Sequence, residues 1–166
     1  VTLQFEFTSE TKPNRCAVVI EDTMEYSIMV NGYKVAYEGL PYYRDLSFHP
    51  IDISHLVQPQ TNYIQLTRNF EAPNTTFFDK EDLTKFWGTE LEQIYLIGDF
   101  AVRGERIGQD IFEIMRYRYK PKFIMTYETG ITNGDLLTDG YCFFNGTITL
   151  VTTAFISGVK EDERYY

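Results

Sequence analysis

The chain has 166 residues, a formal charge of −9, and 13 Tyr and 13 Phe against one Trp. This length allows one domain with a buried core, and the aromatic, Thr, Val and Ile content favours strands over helices. The negative surface argues against nucleic acid as a partner because it repels phosphate backbones, and it disfavours anionic membranes and polyanionic glycans. No apolar run approaches the roughly 20 residues that span a bilayer, so we expect no membrane insertion.

Two strand patterns open the chain. Residues 2–8 alternate, with Leu3, Phe5 and Phe7 on one face, which predicts a half-buried strand. Residues 16–21 form a nearly continuous apolar run, which is typical of a strand covered on both faces. Because the sequence opens directly on a strand, we expect an excised domain or a mature segment of a larger protein.

A hairpin is predicted at Asn31-Gly32, between strands at 26–30 and 33–37. Asn and Gly tolerate the positive φ that a type I′ turn requires at both central positions, which makes this pair the strongest short hairpin signal. Residues 39–44, with the sequence GLPYYR, predict a loop after the second strand.

The next stretch reads FHPIDISHLVQPQTNYIQL. Pro50 interrupts the alternation over residues 46–53, which predicts an edge or interrupted strand. Asp52 or Ser54 is expected to cap one short helical turn, because both side chains accept hydrogen bonds from backbone amides. A further alternating strand is predicted at 62–70.

The second half of the chain predicts more strands and no long helix. Together with the first half it gives nine to eleven short strands, which is typical of an all-β, antiparallel β-sandwich that forms a single domain over residues 1–166. The predicted elements are an irregular segment at 71–89, a strand at 91–101, a charged bend at 102–109, strands at 111–119 and 122–128, and a last long strand at 141–157.

The order of these motifs resembles the galactose-binding-like jelly-roll domain of large bacterial glycoside hydrolases. The VNG hairpin at 30–32, the DISHLV segment at 52–57 and the TNYI strand at 61–64 match that family's order. The chain is similar to the sugar-binding accessory domain of glycoside hydrolase family 2 and, more closely, to β-sandwich domains of α-L-rhamnosidase-like enzymes. Two later stretches, LEQIYLIGDFAV at 91–102 and GYCFFNGTI at 140–148, resemble strands of the same enzymes.

The resemblance covers most of residues 16–155, with two departures. Cys142 stands where Pro is usual, and Thr61 stands where Gly is usual. The resemblance implies a secreted or periplasmic bacterial protein and a non-catalytic accessory module that binds carbohydrate or braces an adjacent catalytic domain. Alternatives of a different class are a protein–protein interaction module on the same fold and an independent glycosidase.

Candidate ligand-binding residues lie in the predicted loops. Sugar recognition uses flat aromatic rings against C–H faces and planar polar groups for hydroxyls. Tyr42, Tyr43, Arg44 and Trp87 are of these types, although in a chain this rich in aromatic residues the rings could equally pack in the core. Asp99 is a polar break in an apolar run, so it either caps backbone amides in a turn or contacts a ligand or a partner.

Catalytic and metal-binding signatures are weak. Adjacent acidic residues on a strand point to opposite faces, and His49 and His55 lie in no catalytic or metal motif, so we expect no enzyme activity from this chain. The resemblance allows a structural calcium ion, which needs six to eight oxygen ligands, with Asp22, Asp45 and Asp52 as candidates.

The two cysteines, Cys16 and Cys142, are too few for a disulfide scaffold, and their spacing fits no zinc site. Buried thiols are the simpler interpretation, because free Cys behaves as a small hydrophobe. A disulfide between the two residues stays open at the level of the sequence.

Overall fold

The computed structural model describes residues 1–39, 41–73, 87–110, 116–128, 130–131, 136–144, 147–153 and 155. These residues are built mainly from β-strands and include a short 3-10 helix at Thr23–Glu25, which confirms the all-β prediction. The strands of the described part are β1 (Thr2–Ser9), β2 (Cys16–Glu21), β3 (Ser27–Val30), β4 (Tyr33–Val35), β5 (Phe48–Asp52), β6 (Thr61–Thr67), β7 (Ile94–Gly98), β8 (Ala101–Asp110) and β9 (Arg116–Thr126).

The strands form two sheets. One is six-stranded, in the order β4-β3-β6-β1-β9-β8, and the other is three-stranded, in the order β5-β2-β7. Neighbouring strands are antiparallel except for β1 and β9, which run parallel where Thr8 faces Ile124 and Ser9 faces Met125. The prediction of a purely antiparallel architecture is therefore wrong at this junction, because an alternating pattern is the same for either direction of pairing.

One hydrophobic core draws on both sheets. Its members include Val18 and Ile20 of β2, Ile51 of β5, and Ile64 and Leu66 of β6. Strands β1 and β6 alternate between inward and outward residues as predicted. Each buried Ile or Leu side chain stabilises the fold by about 1.5–3 kcal/mol relative to an exposed one, so this shared interior holds the two sheets together.

Strand β2 is buried on both faces, as its apolar run predicts. Val18 and Ile20 point into the core, whereas Val19 lies on the opposite face and is still only 1% exposed. On that outer face Val19 is flanked by Pro50 of β5 and Tyr95 of β7. The outer face of the three-stranded sheet is therefore shielded from solvent at the central strand.

The Asn31-Gly32 hairpin forms as predicted. Val30 of β3 pairs with Tyr33 of β4, and the two residues between them have φ angles of 50° and 85°. Both angles lie in the left-handed region that a type I′ turn requires, and Gly32 adopts it without steric cost.

A pair of side-chain amides, buried at Asn62 and partly buried at Asn31, joins this hairpin to the rest of the fold. The Asn31 Nδ2 group donates to Asn62 Oδ1 (2.8 Å) and to the Leu56 carbonyl (2.9 Å), and Asn31 Oδ1 accepts from Tyr63 N (2.9 Å). The hairpin at 30–32, the segment at 52–57 and the start of β6 therefore meet at one hydrogen-bonded cluster.

Asn62 fills the centre of this cluster. It has 0% exposure, and its Oδ1 atom also accepts from Gln58 N (2.9 Å), while its Nδ2 group donates to the carbonyls of Gln58 (2.9 Å) and Gln60 (2.8 Å). A buried amide with all its partners in place stabilises the fold, whereas the same partners left unpaired cost free energy.

The predicted helical turn forms between β5 and β6. The amides of Leu56 and Val57 donate to the Ile53 carbonyl at 2.9 and 3.2 Å. The Asp52 carboxylate accepts a hydrogen bond from Ser54 N (2.8 Å), which confirms Asp52 as the capping residue.

The region predicted as a charged bend at 102–109 is instead the edge strand β8, and the two strands predicted at 111–119 and 122–128 are joined through Pro121 in β9. The β8–β9 register shifts between Gly104 and Arg106 and again before Gly108. Proline lacks a backbone donor, and it is tolerated in β9 because the ladder is irregular there. Residues 111–115 of the predicted strand lie outside the described residues.

The last predicted strand, at 141–157, is wrong over the described part. Tyr141 forms a single bridge with Val102, and residues 147–153 belong to no strand, with Val151 89% exposed. An alternating pattern shows that a segment suits a sheet, but a strand also needs a neighbouring strand. Residues 147–153 pair with no described strand. Residues 145–146, 154 and 156–157 lie outside the described part.

Both cysteines are free. Cys16 is buried in the core, and desolvation together with the nearby carboxylates of Asp52 and Asp99 raises the pKa of its thiol to about 12. Burial also raises the pKa of the partly exposed Cys142, whose Sγ lies 3.1 Å from the Val102 carbonyl. The buried-thiol interpretation is confirmed for Cys16.

Replacement of Asn62 by Ala should lower the free energy of unfolding by about 2–4 kcal/mol, because it removes four hydrogen bonds that its side chain makes to Asn31, Gln58 and Gln60 at 0% exposure. Urea unfolding followed by circular dichroism measures this loss. The matched control is Asn69→Ala, since Asn69 is exposed. Equal stabilities for the two variants would contradict the role given to the Asn31–Asn62 pair.

Thiol labelling should separate the two cysteines. In a Cys142→Ser variant at pH 8, the remaining Cys16 should react with a thiol reagent only after unfolding, because a pKa of about 12 leaves roughly one thiolate in ten thousand. The Cys16→Ser variant, which keeps the more exposed Cys142, should label faster in native buffer. Prompt native labelling of Cys16 would show that the core opens at this point.

Candidate functional site

Exposed aromatic rings gather over the outer face of the three-stranded sheet. They surround a cavity of about 680 Å3, with Val19, Leu96 and Ile97 beneath it. We call this cavity the aromatic cleft, and its walls are formed by Tyr43, Arg44, Asp45, Phe48, Tyr95, Phe143 and Phe144.

The sheet register brings two of these rings together. Tyr95 of β7 lies opposite Val19, and Phe48 of β5 lies opposite Glu21, two residues further along β2 on the same face. The Phe48 and Tyr95 rings meet edge to face, with centroids 6.1 Å apart and an interplanar angle of 84°. Aromatic pairs prefer this arrangement, so the sheet holds both rings in defined orientations.

A tight loop before β5 supplies the next wall. Tyr43 N donates to the Phe48 carbonyl (2.9 Å), and Asp45 N donates to the Tyr43 carbonyl (2.7 Å). The Asp45 carboxylate accepts from both the amide (2.9 Å) and the hydroxyl (2.8 Å) of Ser47. These bonds lower the pKa of Asp45, so the carboxylate stays charged and the loop is closed by its own contacts.

Arg44 sits at the tip of this loop in an unusual backbone conformation. Its φ is 64°, which is the left-handed region that residues other than Gly rarely adopt. Its guanidinium carbon lies 5.5 Å from the centroid of the Tyr43 ring, within the range of a cation–π contact. The loop therefore presents a cation and an aromatic ring together at the rim of the cleft.

Phe143 and Phe144 form the opposite wall, in the region where the sequence predicts a strand. The Phe143 ring packs against Phe123 of β9, with centroids 4.7 Å apart, and Phe144 N donates to the Tyr141 carbonyl (2.9 Å). Val102 N in β8 donates to the carbonyl of Gly140 (2.8 Å), which anchors the segment to the edge of the large sheet. The cleft is thus bounded by the three-stranded sheet on one side and, on the other, by a segment anchored to the six-stranded sheet.

The structure places the predicted binding residues in different regions. Tyr43 and Arg44 line the cleft together, whereas Tyr42 is exposed in the same loop but is not among the lining residues. Trp87 is 69% exposed and is also absent from the described lining. It lies next to Gly88, which packs closely against the backbone of Glu71.

Asp99 has a structural contact of its own. Its Oδ1 atom accepts from Arg15 N (2.7 Å), its amide donates to the Arg15 carbonyl (3.1 Å), and the first of these bonds lowers the pKa of the carboxyl. A Cβ at Gly98 would collide with the Arg15 carbonyl, so glycine permits this close approach. The turn-capping interpretation of Asp99 is supported, and its role in ligand binding stays a prediction.

A second cavity adjoins the aromatic cleft and shares Tyr43 and Ile97 with it. Its volume is about 490 Å3, and Arg15, Asp52 and Ser54 contribute polar groups to its lining. Ser54 N and the Ser54 hydroxyl both bond to the Asp52 carboxylate, and these bonds lower the pKa of Asp52. The two cavities together offer an apolar floor, several rings and a few fixed polar groups.

Sequence reasoning missed Phe48, Tyr95, Phe143 and Phe144 as wall residues. Their signal is weak because the chain contains 26 Tyr and Phe in total, 13 of each, and most strands carry one or more. The doublet Phe143-Phe144 lies in the strand predicted at 141–157. In a strand, two adjacent side chains point to opposite faces, so only one of the two rings would face the cleft. Once the segment is irregular, both rings can line one cavity.

Within the described residues, no group of three or more His, Cys, Asp and Glu side chains is arranged to hold a metal ion. Of the calcium candidates, Asp45 and Asp52 already bind Ser47 and Ser54. The described residues also contain no helix long and apolar enough to cross a membrane.

Comparison of the chain with protein-family models, with curated proteins and with solved structures finds no match.

Replacement of Asp99 by Ala should lower the melting temperature at pH 7 by a few degrees. The folded-state pKa of Asp99 lies below the unfolded value of 3.8, so its stabilisation is present above that pH and is lost as the pH falls through the folded pKa. The difference in melting temperature between variant and parent should therefore close at low pH. Glu38→Ala, at an exposed loop position, is the control, and a constant difference from pH 7 to pH 2.5 would contradict the prediction.

Proposed function

We propose that this chain is a non-catalytic accessory module of a glycoside hydrolase and binds carbohydrate in the aromatic cleft. The observation that carries the proposal is the set of exposed rings, with Arg44 and Asp45 at the rim, over a cavity of about 680 Å3. Apolar ring faces suit the C–H faces of a pyranose, and a few fixed polar groups suit its hydroxyls. Exposed rings in a concave site need a partner of this mixed character.

The architecture supports the jelly-roll part of the proposal. A three-stranded antiparallel sheet and a larger, mainly antiparallel sheet share one core, as two packed layers of a β-sandwich do. Three of the segments that resemble the galactose-binding-like family, at 30–32, 52–57 and 61–64, meet at the Asn31–Asn62 pair. The parallel pairing of β1 with β9 is a difference from a purely antiparallel jelly roll.

The acidic residues of the site favour binding over catalysis. A glycosidase needs two carboxyl groups, one of them a general acid with a raised pKa. Asp45 lines the cleft and Asp52 lines the adjoining cavity, and hydrogen bonds lower the pKa of both. Neither carboxyl group therefore carries a proton to donate near neutral pH.

A bracing role is the second candidate, and a different observation favours it. Leu150, Val151 and Phe155 are 64, 89 and 95% exposed in a segment with no strand partner among the described residues. Such apolar exposure suits contact with a neighbouring domain, such as the catalytic unit of a larger protein. In that protein, hydrogen exchange at 147–153 should be slower than in the 166-residue chain alone, and equal exchange would remove this candidate.

Glycan-array screening followed by calorimetry tests the proposed function. Tyr95→Ala should weaken binding of an array hit about tenfold, a loss of about 1.4 kcal/mol, because it removes one stacking surface without disturbing the core. Tyr63→Ala is the matched control, since Tyr63 is an exposed tyrosine on β6 of the other sheet. Absence of binding to every glycan, or equal effects of the two variants, would refute carbohydrate binding in the cleft.

A further inference from the structure

We propose that the aromatic cleft selects a sugar that carries a carboxylate, a hexuronate, and that the Arg44 guanidinium binds this group. The inference rests on the proposed function and deepens it, because it names the class of sugar. It starts from the guanidinium of Arg44, whose contact among the described residues is with the Tyr43 ring.

The donors of Arg44 are unused. Within the described part of the chain, its guanidinium makes no hydrogen bond and no ion pair, and its contact is with the face of the Tyr43 ring. A guanidinium presents five N–H donors in a rigid fork that matches a carboxylate. By contrast, Arg68 donates to the Tyr26 hydroxyl and to the Glu90 carbonyl, and Arg103 pairs with Glu10.

The left-handed backbone conformation at Arg44 indicates that this position is kept for the function of the Arg44 side chain. A left-handed conformation costs a residue other than Gly about 1 kcal/mol, and residues held in such conformations cluster at ligand-binding sites. The flanking bonds from Tyr43 N to Phe48 and from Asp45 N to Tyr43 fix this conformation. The direction in which Arg44 leaves the loop is therefore set before any ligand arrives.

The neighbouring carboxylate leaves the charge of Arg44 available. Both bonds from Ser47 converge on Asp45 Oδ1, and Asp45 forms no ion pair with Arg44. Asp45 instead offers its other oxygen to a sugar hydroxyl. Among the residues that the structure describes, the rim of the cleft thus holds one cation without an anionic partner and one acceptor, which suits a ligand with one carboxylate and several hydroxyls.

The shape of a hexuronate fits this rim. Its pyranose ring has apolar faces for the rings of Tyr95 and Phe143, and its carboxylate projects from the edge of the sugar ring, towards the position that Arg44 occupies beside them. The formal charge of −9 repels a long polyanion. The ligand is therefore a single acidic residue, at the end of a glycan or flanked by neutral sugars.

Matched pairs of methyl glycosides test the inference. Ligand-observed NMR titration at low salt should show that methyl β-D-glucuronide binds at least tenfold more tightly than methyl β-D-glucoside, with the same order for the galacturonide and galactoside. Sodium chloride at 0.5 M should reduce this preference, because salt screens an exposed ion pair.

Arg44→Asn is the decisive variant, because Asn tolerates the left-handed backbone and cannot pair with a carboxylate. It should abolish the preference, so that the acidic and the neutral glycoside bind with equal affinity. Arg103→Asn removes the same charge outside the cleft and should keep the preference. A melting curve for each variant checks that the fold is intact.

The outcomes separate the two proposals. Equal binding of acidic and neutral partners, or a preference that survives in Arg44→Asn, overturns the selection of a carboxylate and leaves carbohydrate binding in place. Absence of binding to every member of the panel overturns both. Loss of the preference in Arg44→Asn alone supports the assignment of Arg44.

Discussion

The hydrogen bond between Asn31 and Asn62 is the contact on which the rest of the structure depends. It joins the β3–β4 hairpin to the start of β6, and through Leu56 and Gln58 it also holds the turn that follows β5. These segments are separated along the chain by β4, by the loop that follows it and by β5. Because buried amides must find partners, the pair admits one relative position of the three segments.

The cleft inherits its geometry from this frame. The turn after β5 fixes the end of that strand. The strand begins at Phe48, whose carbonyl accepts a hydrogen bond from Tyr43 N and so closes the loop that holds Tyr43 and Arg44. Pairing with β2 then sets the distance from Phe48 to Tyr95 on β7. A cluster of polar groups in the interior thereby positions apolar groups at the surface, although the two are not in contact.

Local signals predicted the parts of the fold that local chemistry decides. The positive φ angles of Asn31-Gly32, the cap at Asp52 and the alternation of β1 and β6 depend on neighbours in the chain, and all are confirmed. The parallel partner of β1 depends on distant residues, which its own pattern does not reveal. Strand β8 pairs with the next strand along the chain, but its charged, Gly-containing sequence hides the strand. For the cleft, Tyr43 and Arg44 were recognisable as a polar-aromatic loop, whereas Phe48 and Tyr95 could not be told from core residues until the register was known.

The position of β1 has a consequence for how the molecule assembles. Both strands that pair with β1 are synthesised after it, since Thr2 faces Thr67 on β6 and Thr8 faces Ile124 on β9. Contacts between residues so distant in the chain are slow to form, because the intervening loop must close first. Until β9 arrives, β1 offers an open edge to other chains, and the six-stranded sheet remains two separate ribbons. Chaperone demand and self-association during synthesis should therefore concentrate on this one strand.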